Sequence, residues 1–190
     1  MPLLGPADPL PGRPQRVLVA GTSGAGKTTL ARALAGVLDC SHVELDSLHH
    51  GPGWTKRAEF EDDVHRVVAG ARWVSEWQYA AMRDVLLARA DLLVWLDLPR
   101  WLVMARVVRR TLRRRVRREV LWNGNVEPPL RTFLTERDHI VRWAWRTHAR
   151  TGSRVMTARA GRPELVVVRL TTRAQVSAWL DGPLRAATYR

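Results

Sequence analysis

The sequence predicts an α/β protein in which a parallel β-sheet carries helices on both of its faces. Short β-branched or apolar runs alternate along the chain with segments whose apolar residues recur at helical spacing. The run at residues 92–98 is almost continuously apolar, as expected for a parallel strand that is buried on both faces. The chain has 190 residues, which favours one domain with one sizeable core.

The local patterns place five strands and six helices along the chain. The predicted strands occupy residues 16–20, 43–46, 73–75, 92–98 and 164–169. The predicted helices occupy residues 27–37, 58–69, 80–89, 100–118, 131–148 and 173–180. Ligands of such folds bind beyond the carboxyl ends of the strands, so four loops should share one crevice. These loops follow Ala20, Asp46, Ser75 and Asp97.

The first fifteen residues contain five prolines and lack the basic-then-apolar order of a secretory signal. We therefore expect residues 1–15 to be a disordered leader and residues 16–190 to form a single domain. The single cysteine, Cys40, excludes an internal disulfide framework and favours a cytoplasmic location. No segment approaches the roughly 18 apolar residues that a membrane span requires, so we expect no membrane partner.

The charge of the chain is unusual, with a formal net value of +13 at pH 7. Of the 31 Lys and Arg residues only Lys27 and Lys56 are lysine, and nine arginines fall between residues 100 and 118, where there is no acid. Such a block is expected to bind anions, either the phosphates of a small ligand or a nucleic-acid backbone.

Residues 21–28 read GTSGAGKT, which matches the phosphate-binding pattern GxxxxGK[ST], also called Walker A. The motif directly follows a predicted strand and opens a predicted helix, which is the context that the pattern requires. Its glycines allow a tight turn whose amides face phosphate oxygens at the positive end of the helix. Lys27 should reach the outer phosphates of ATP, and the Thr28 hydroxyl should bind Mg²⁺. The predicted nucleotide-binding residues are Gly21, Thr22, Ser23, Gly24, Ala25, Gly26, Lys27, Thr28 and Thr29.

Three acids stand at the predicted carboxyl ends of strands: Asp46, Glu76 and Asp97. An acid in such a position can hold the water shell of Mg²⁺ or take a proton from an acceptor hydroxyl. For Asp97 the alternative is that it merely begins a loop and caps the next helix. The neighbouring pair His49–His50 lacks partners at metal-ligand spacing, and we expect it to lie in a loop.

Beyond the phosphate loop, the chain resembles the adenylate-kinase-like P-loop kinases over residues 16–180. More narrowly it resembles the bacterial branch known as topology-modulation proteins, and it is also similar to shikimate kinase in size. The resemblance rests on GTSGAGKTTLARAL, ELDSLHHGPGW, RWVSEWQYAAMR, LVWLDLPRWLVMARVVRR and VVVRLTTRAQVSAWL. It implies the three-layer sandwich of P-loop NTPases with a five-stranded parallel sheet, and a small helical, arginine-rich lid at about residues 110–135.

The resemblance also assigns roles to individual residues. It implies that Asp46 lies on the acceptor side and that Glu76 stands where the family has its metal-associated acid. Acceptor-facing positions fall on Gln78, Tyr79 and Arg83, and the turn at Thr171 corresponds to the place where relatives hold adenine. The sequence departs from the family in having Glu76-Trp77 in place of the usual Asp-Gly. It also lacks the acceptor-side arginine pair of true adenylate kinases.

The arginine-rich helix presents two faces by its spacing. Trp101, Ala105, Val108 and Leu112 form the predicted buried stripe. Another face carries Arg106, Arg110, Arg113 and Arg117. A guanidinium binds phosphate oxygens in a fork and suits a phosphoryl group in transfer. The resemblance favours Arg106 and Arg110 as the catalytic arginines, and the alternative is a solvated face without a specific role.

The function predicted from these observations is an ATP-dependent phosphotransferase that uses Mg²⁺ and acts on a nucleoside, a nucleotide or a small metabolite. Lys27, Arg106 and Arg110 would neutralise charge, and Thr28 and Glu76 would serve the metal. Asp46 would act as a base only for a hydroxyl acceptor, because a phosphate acceptor is already ionised. Two alternatives remain: an ATP-binding regulatory protein acting on nucleic acid, and a nucleotide-binding module with negligible catalysis. We expect a monomer or a homodimer.

Overall fold

The structure, a computed structural model, describes residues 3–126 and 140–189, and these residues build a six-stranded parallel sheet in the order β1-β6-β5-β2-β4-β3. The strands are β1 (Leu3–Leu4), β2 (Arg16–Ala20), β3 (Ser41–Val43), β4 (Trp73–Glu76), β5 (Leu92–Leu96) and β6 (Val166–Leu170). The helices are α1 (Lys27–Leu38), α2 (Leu45–His49), α3 (Phe60–Ala69), α4 (Arg83–Arg89), α5 (Arg100–Arg117), α6 (Ile140–Gly161), α7 (Arg173–Trp179) and α8 (Arg185–Thr188). The predicted α/β class is confirmed, with six strands rather than five.

Strand β2 lies at the centre of the sheet between β4 and β5, and its alternating side chains enter two separate cores. Val17 and Val19 pack on one face against apolar residues of α1 and the C-terminal helices. Leu18 and Ala20 pack on the other face against α3, α4 and the second half of α6. Both faces are therefore covered, which explains why the strands read as continuous apolar runs.

The prediction of a disordered leader is wrong for its described residues. Leu3 and Leu4 pair in parallel with Val167 and Val168 at the edge of the sheet, and Leu10 is 3% exposed. The strand covers the open edge of β6 and buries apolar side chains there. The prolines around it stand outside the paired residues, where no ladder hydrogen bond is required of them.

The second predicted strand is displaced in the structure. The strand ends at Val43 rather than at Asp46, and Asp46 lies in the short helix α2, whose Leu45 is fully buried. A run of five residues carries too little periodicity to separate a strand end from one helical turn. Residues 131–139 of the fifth predicted helix lie outside the described residues.

The predicted buried stripe of α5 is also wrong. The residues that the helix buries are Val103, Val107 and Thr111, whereas Trp101 is 72% exposed. Both stripes have helical spacing, and the sequence pattern alone does not choose between them. Val103 and Val107 face the loop after β2, where their close approach to Gly24 leaves no room for a side chain at that position. None of the helices in the described ranges is long and apolar enough to cross a membrane.

Candidate active site

The phosphate-binding pattern forms the loop that joins β2 to α1. Gly24 and Gly26 have φ angles of 85° and 100°, a region that favours glycine. Gly26 is the residue before the helix, which begins at Lys27, has no acid in its first turn and has no side chain bonded at its N-cap. The amides at this helix start are therefore left for an anionic ligand, as the motif predicts.

Helix α5 supports the phosphate loop from behind. A side chain at Gly24 would collide with Val107 and approach the Val103 carbonyl oxygen to 2.9 Å. Arg106 Nη1 donates to the Ala25 carbonyl oxygen at 3.4 Å, and Arg110 Nη2 donates to Ser23 Oγ at 3.1 Å. The structure thus places the two arginines that the family resemblance favours directly against the phosphate loop.

Arg106 has an additional donor that is free to bind a ligand. Its Nη2 atom is buried and has no hydrogen-bond partner among the described residues. Burial lowers the pKa of Arg106, and the neighbouring Arg173 lowers it further. An unpartnered guanidinium donor beside the phosphate loop fits a phosphate oxygen, which would supply both a hydrogen bond and the opposite charge.

Lys27 lies between the groups of both sides of the crevice. Burial lowers the pKa of its ammonium, the carboxylates of Asp46 and Glu76 oppose that shift, and Arg110 adds to it. These influences require all three groups to be close to the ammonium. The ammonium therefore lies within the electrostatic influence of both acids and of Arg110.

Glu76 ends β4 as a buried carboxylate, 1% exposed. Burial raises its pKa, but hydrogen bonds from His42 and Thr28, together with the charge of His42, outweigh burial and leave the pKa below its ordinary value. His42 Nε2 lies 3.3 Å from Oε1, whereas Oε2 has no hydrogen-bond partner within the described ranges. Glu76 is thus held in its anionic form with one oxygen available to a ligand.

The residues present fit a magnesium ion. A buried carboxylate oxygen that lacks a partner calls for a cation or a water molecule, and the Thr28 hydroxyl lies beside the same carboxylate. Mg²⁺ retains several waters and is held by one or two protein oxygens together with substrate phosphates. The described residues contain no group of three or more His, Cys, Asp or Glu with metal-ligand geometry, and a site of this type does not need one.

On the acceptor side, Asp46 is the centre of a hydrogen-bonded cluster. Gln78 Nε2 donates to Asp46 Oδ1 at 2.7 Å, and the Tyr79 hydroxyl donates to the same oxygen at 2.5 Å. Burial raises the pKa of Tyr79, and the charge of Asp46 raises it further, so the phenol keeps its proton. Gln78 and Tyr79 therefore bond to Asp46, in addition to the acceptor-facing role that the family resemblance implies.

Two histidines that the sequence placed in a loop join this cluster. His49 lies in α2 and stacks on the Tyr79 ring with centroids 4.1 Å apart, and His50 Nε2 lies 3.2 Å from the Tyr79 hydroxyl. The sequence offered one usable signal, namely that both follow Asp46 within four residues. Their contact with Tyr79 depends on how β4 and α2 meet, which no local pattern encodes.

Three other candidate residues lie outside the cluster. Arg83 opens α4 and makes no hydrogen bond to Asp46, Gln78 or Tyr79; burial lowers its pKa, and the nearby Arg154 lowers it further. Thr171 follows β6 and bonds to Gln175 Oε1 through its amide at 2.7 Å and its hydroxyl at 3.0 Å. Asp97 accepts a hydrogen bond from Arg169 Nε at 2.8 Å, an ion pair that occupies this acid.

Comparisons with known proteins give one family match and several structural likenesses. A family model described as Zeta toxin matches residues 6–94, just under half of the chain, and the match includes the phosphate loop. Solved structures with a related fold include a gluconokinase from Sinorhizobium meliloti 1021, with 18% identity, 96% of this chain and 97% of that chain covered, and a TM-score of 0.48.

Two further solved structures show a comparable likeness. A shikimate kinase from Acinetobacter baumannii in complex with shikimate has 19% identity, covers 92% of this chain and 89% of its own, and gives a TM-score of 0.43. A sugar kinase from Janibacter sp. HTCC2649 has 22% identity, coverages of 93% and 98%, and a TM-score of 0.44. Likenesses of this degree do not identify an acceptor. No curated protein matches the chain in sequence.

Proposed function

We propose that the protein is an ATP-dependent phosphotransferase that transfers the γ-phosphoryl group of Mg-ATP to a hydroxyl group of a small metabolite, with Asp46 as the general base. One observation carries this proposal. Asp46 is a carboxylate fixed by two neutral donors, and it lies close enough to the phosphate-loop lysine to influence the pKa of Lys27. The proposed base and the lysine of the phosphate loop therefore lie in one crevice.

The acceptor class follows from the chemistry around Asp46. Its hydrogen-bond donors are an amide and a phenol, and neither can neutralise the charge of a phosphate acceptor. A second anion beside the carboxylate would be repelled, whereas a hydroxyl group can donate its proton to the carboxylate. This arrangement supports a hydroxyl acceptor over a nucleotide acceptor.

In the proposed reaction the acceptor hydroxyl attacks the γ-phosphorus while its proton passes to the Asp46 carboxylate. The bond between the γ-phosphorus and the β–γ bridging oxygen breaks, and ADP leaves with that oxygen. Lys27, Arg106 and Arg110 stabilise the negative charge on the transferring group, and the amides of the phosphate loop hold the β-phosphate. Thr28 and Glu76 would hold Mg²⁺, which neutralises phosphate charge when bound.

The finer assignments are parts of the same proposal. From the segments that carry the resemblance we propose membership of the topology-modulation branch, a contact from Thr171 to adenine, and an acceptor-facing position for Arg83. We also propose a single domain that extends the predicted residues 16–190 by the edge strand β1 and the buried Leu10. The proposal further includes a lid at about residues 110–135, of which residues 127–135 lie outside the described ranges, a cytoplasmic location and a monomeric or homodimeric state.

The test is ADP release from Mg-ATP in the presence of pooled polyols, sugar acids, nucleosides and nucleotides. We expect release with a hydroxyl acceptor only. Lys27→Ala should abolish turnover, and Asp46→Asn should lower kcat by about 100-fold or more, the usual contribution of a general base. Asp62→Asn, an exposed aspartate of α3, is the matched control and should leave kcat unchanged. Near-normal turnover in Lys27→Ala would refute the mechanism.

The second candidate function is ATP-linked binding of nucleic acid. Arg109 and Arg117 are exposed on α5, and Trp101 beside them is 72% exposed, so the helix offers cations and an aromatic ring to a phosphate backbone. This function predicts ADP release that depends on DNA or RNA and affinity that falls steeply with salt. Arg106 and Arg110 of the same helix contact the phosphate loop instead, which favours the kinase proposal.

A further inference from the structure

Two short loops of the same construction meet above the acceptor side of the crevice. Residues 50–56 follow α2, which carries Asp46, and close with an antiparallel bridge between His50 and Lys56. Residues 120–126 follow α5, which carries the two loop-contacting arginines, and close with the same kind of bridge between Val120 and Val126. Each loop turns through a single 3₁₀ segment.

Asn125 joins the two loops with its side-chain amide. It is 4% exposed; Oδ1 accepts from the Trp54 amide at 3.0 Å, and Nδ2 donates to the Gly51 carbonyl oxygen at 2.9 Å. Nδ2 also donates to the Trp122 carbonyl oxygen at 2.9 Å, so both of its hydrogens and its oxygen are used. Trp54 Nε1 donates to the Val126 carbonyl oxygen at 3.2 Å, which adds a further hydrogen bond to this joint between the two loops.

A chain of contacts runs from this joint to the proposed base. The Trp122 ring faces the His50 ring with centroids 6.2 Å apart and planes 29° apart. His50 Nε2 lies 3.2 Å from the Tyr79 hydroxyl, and that hydroxyl donates to Asp46 at 2.5 Å. Helix α5 therefore contacts the phosphate loop near its middle and, through the 120–126 loop, the acceptor side at its end.

The acceptor side needs such support because its own elements are weak. Helix α2 has five residues, too few to be stable without tertiary contacts. Tyr79 has a φ of 59°, a backbone conformation that a bulky side chain adopts only when its surroundings hold it there. The Tyr79 ring contacts His50, and the 120–126 loop contacts His50 in turn through Trp122.

We propose that Asn125 is a positioning residue for phosphoryl transfer: it fixes the 120–126 loop to the 50–56 loop, and through His50 and Tyr79 it fixes the orientation of Asp46. The inference deepens the proposed function and rests on it, because Asp46 is taken as the base. It couples the helix that contacts the ATP side to the group that accepts the proton.

The first test is independent of activity and uses the two tyrosines of the chain, Tyr79 and Tyr189. In a Tyr189→Phe background labelled with fluorotyrosine, the single fluorine NMR signal reports Tyr79. We expect Asn125→Ala to move this signal, and Trp122→Leu serves as a second variant should Asn125→Ala fail to fold. The matched control is Gln15→Ala, an amide whose side chain donates to the Arg13 carbonyl oxygen and has no other hydrogen bond within residues 3–126 and 140–189. An unmoved signal in a folded Asn125→Ala or Trp122→Leu variant would overturn the link.

The second test is a double-mutant cycle with the acceptor found by ADP release. Asn125→Ala should lower kcat about tenfold and leave the KM for ATP within about twofold, and it should have no further effect in the Asp46→Asn variant. Additive losses would mean that Asn125 acts on stability rather than through Asp46, and would overturn the inference. A normal kcat in Asp46→Asn would refute the proposed base instead, while the fluorine signal would still decide whether the loops hold Tyr79.

Discussion

At the scale of single residues, two carboxylates at one edge of the sheet are held for different tasks. Glu76 is buried, charged and bonded to His42 and Thr28, which suits a metal-associated acid. Among the described residues, Gln78 and Tyr79 donate hydrogen bonds to one oxygen of Asp46, and its other oxygen can face an acceptor. In the proposed reaction the same functional group would serve two roles because its neighbours differ.

The hydrogen bond between Tyr79 and Asp46 makes a spectroscopic prediction. In the Tyr189→Phe background Tyr79 is the only tyrosine, so the phenolate absorbance change reports its ionisation alone. Since burial and the Asp46 charge both raise the pKa of Tyr79, we expect its phenolate to form only at a higher pH than the phenolate of a free tyrosine.

Replacing Asp46 by Asn removes one of these two causes, and the ionisation of Tyr79 should then begin at lower pH. Circular dichroism at each pH checks that the protein is still folded. Ionisation of Tyr79 at the same pH with and without the carboxylate would contradict the assigned contact.

At the scale of elements, the phosphate loop and α5 form one unit because α5 packs directly on the loop. The sequence pattern predicts a different buried stripe of α5, because local spacing does not show that the helix packs on this loop. Val103 and Val107 contact the glycine loop, and the wider apolar stripe that includes Trp101 faces outward. Glycines carry no side chains whose pattern could indicate a packing partner. The sequence therefore does not predict which face of α5 packs on this loop.

A pair of glycine substitutions tests this unit. Gly24→Ala places a side chain against Val107 at a φ of 85°, and we expect a loss of about 1–3 kcal/mol of stability together with weaker ATP binding. Gly36→Ala is the matched control: it lies on α1, has nothing within 4 Å of an added Cβ, and should gain about 0.5–1 kcal/mol. Urea unfolding and calorimetry with an ATP analogue measure both, and equal effects of the two substitutions would contradict the packing.

At the scale of the whole molecule, the acceptor side links folding stability to pH. Burial lowers the pKa of His49 and His50 below the ordinary value of 6.5. As pH falls through 6.5 the unfolded chain binds these protons before the folded chain does, so the free energy of unfolding decreases toward the folded-state pKa values. The stability from these two residues is fully present above 6.5.

We therefore expect the urea midpoint to fall between about pH 7.5 and pH 5.5, and the fall to be smaller in His50→Gln. His65→Gln, an exposed histidine of α3, is the control and should keep the pH dependence of the parent protein. An identical pH dependence in His50→Gln and the parent protein would show that His50 is not buried as the structure has it.

Much of the fold could be predicted from the sequence, because the relevant signals are local. The loop GTSGAGKT lies between a strand and a helix, and both strand β2 and the start of helix α1 agree with prediction. Asp46 and Glu76 are predicted from their places at strand ends and Lys27 from the glycine motif, and both carboxylates influence the pKa of Lys27. The sites of Arg106 and Arg110 came from a resemblance, and the structure places both at the phosphate loop.

The sequence by itself determined the α/β class, the phosphate loop and the acids of the crevice, because strand and helix periods and the glycine motif are encoded within a few neighbouring residues. Only the tertiary structure decided the order of the sheet with Leu3–Leu4 at its edge, the buried face of α5, and the Asp46 cluster with its joint at Asn125. These features arise from contacts between segments that are far apart in sequence, such as Trp54 and Asn125, which are separated by 71 positions. Such contacts depend on how complete elements pack, so no local pattern contains them.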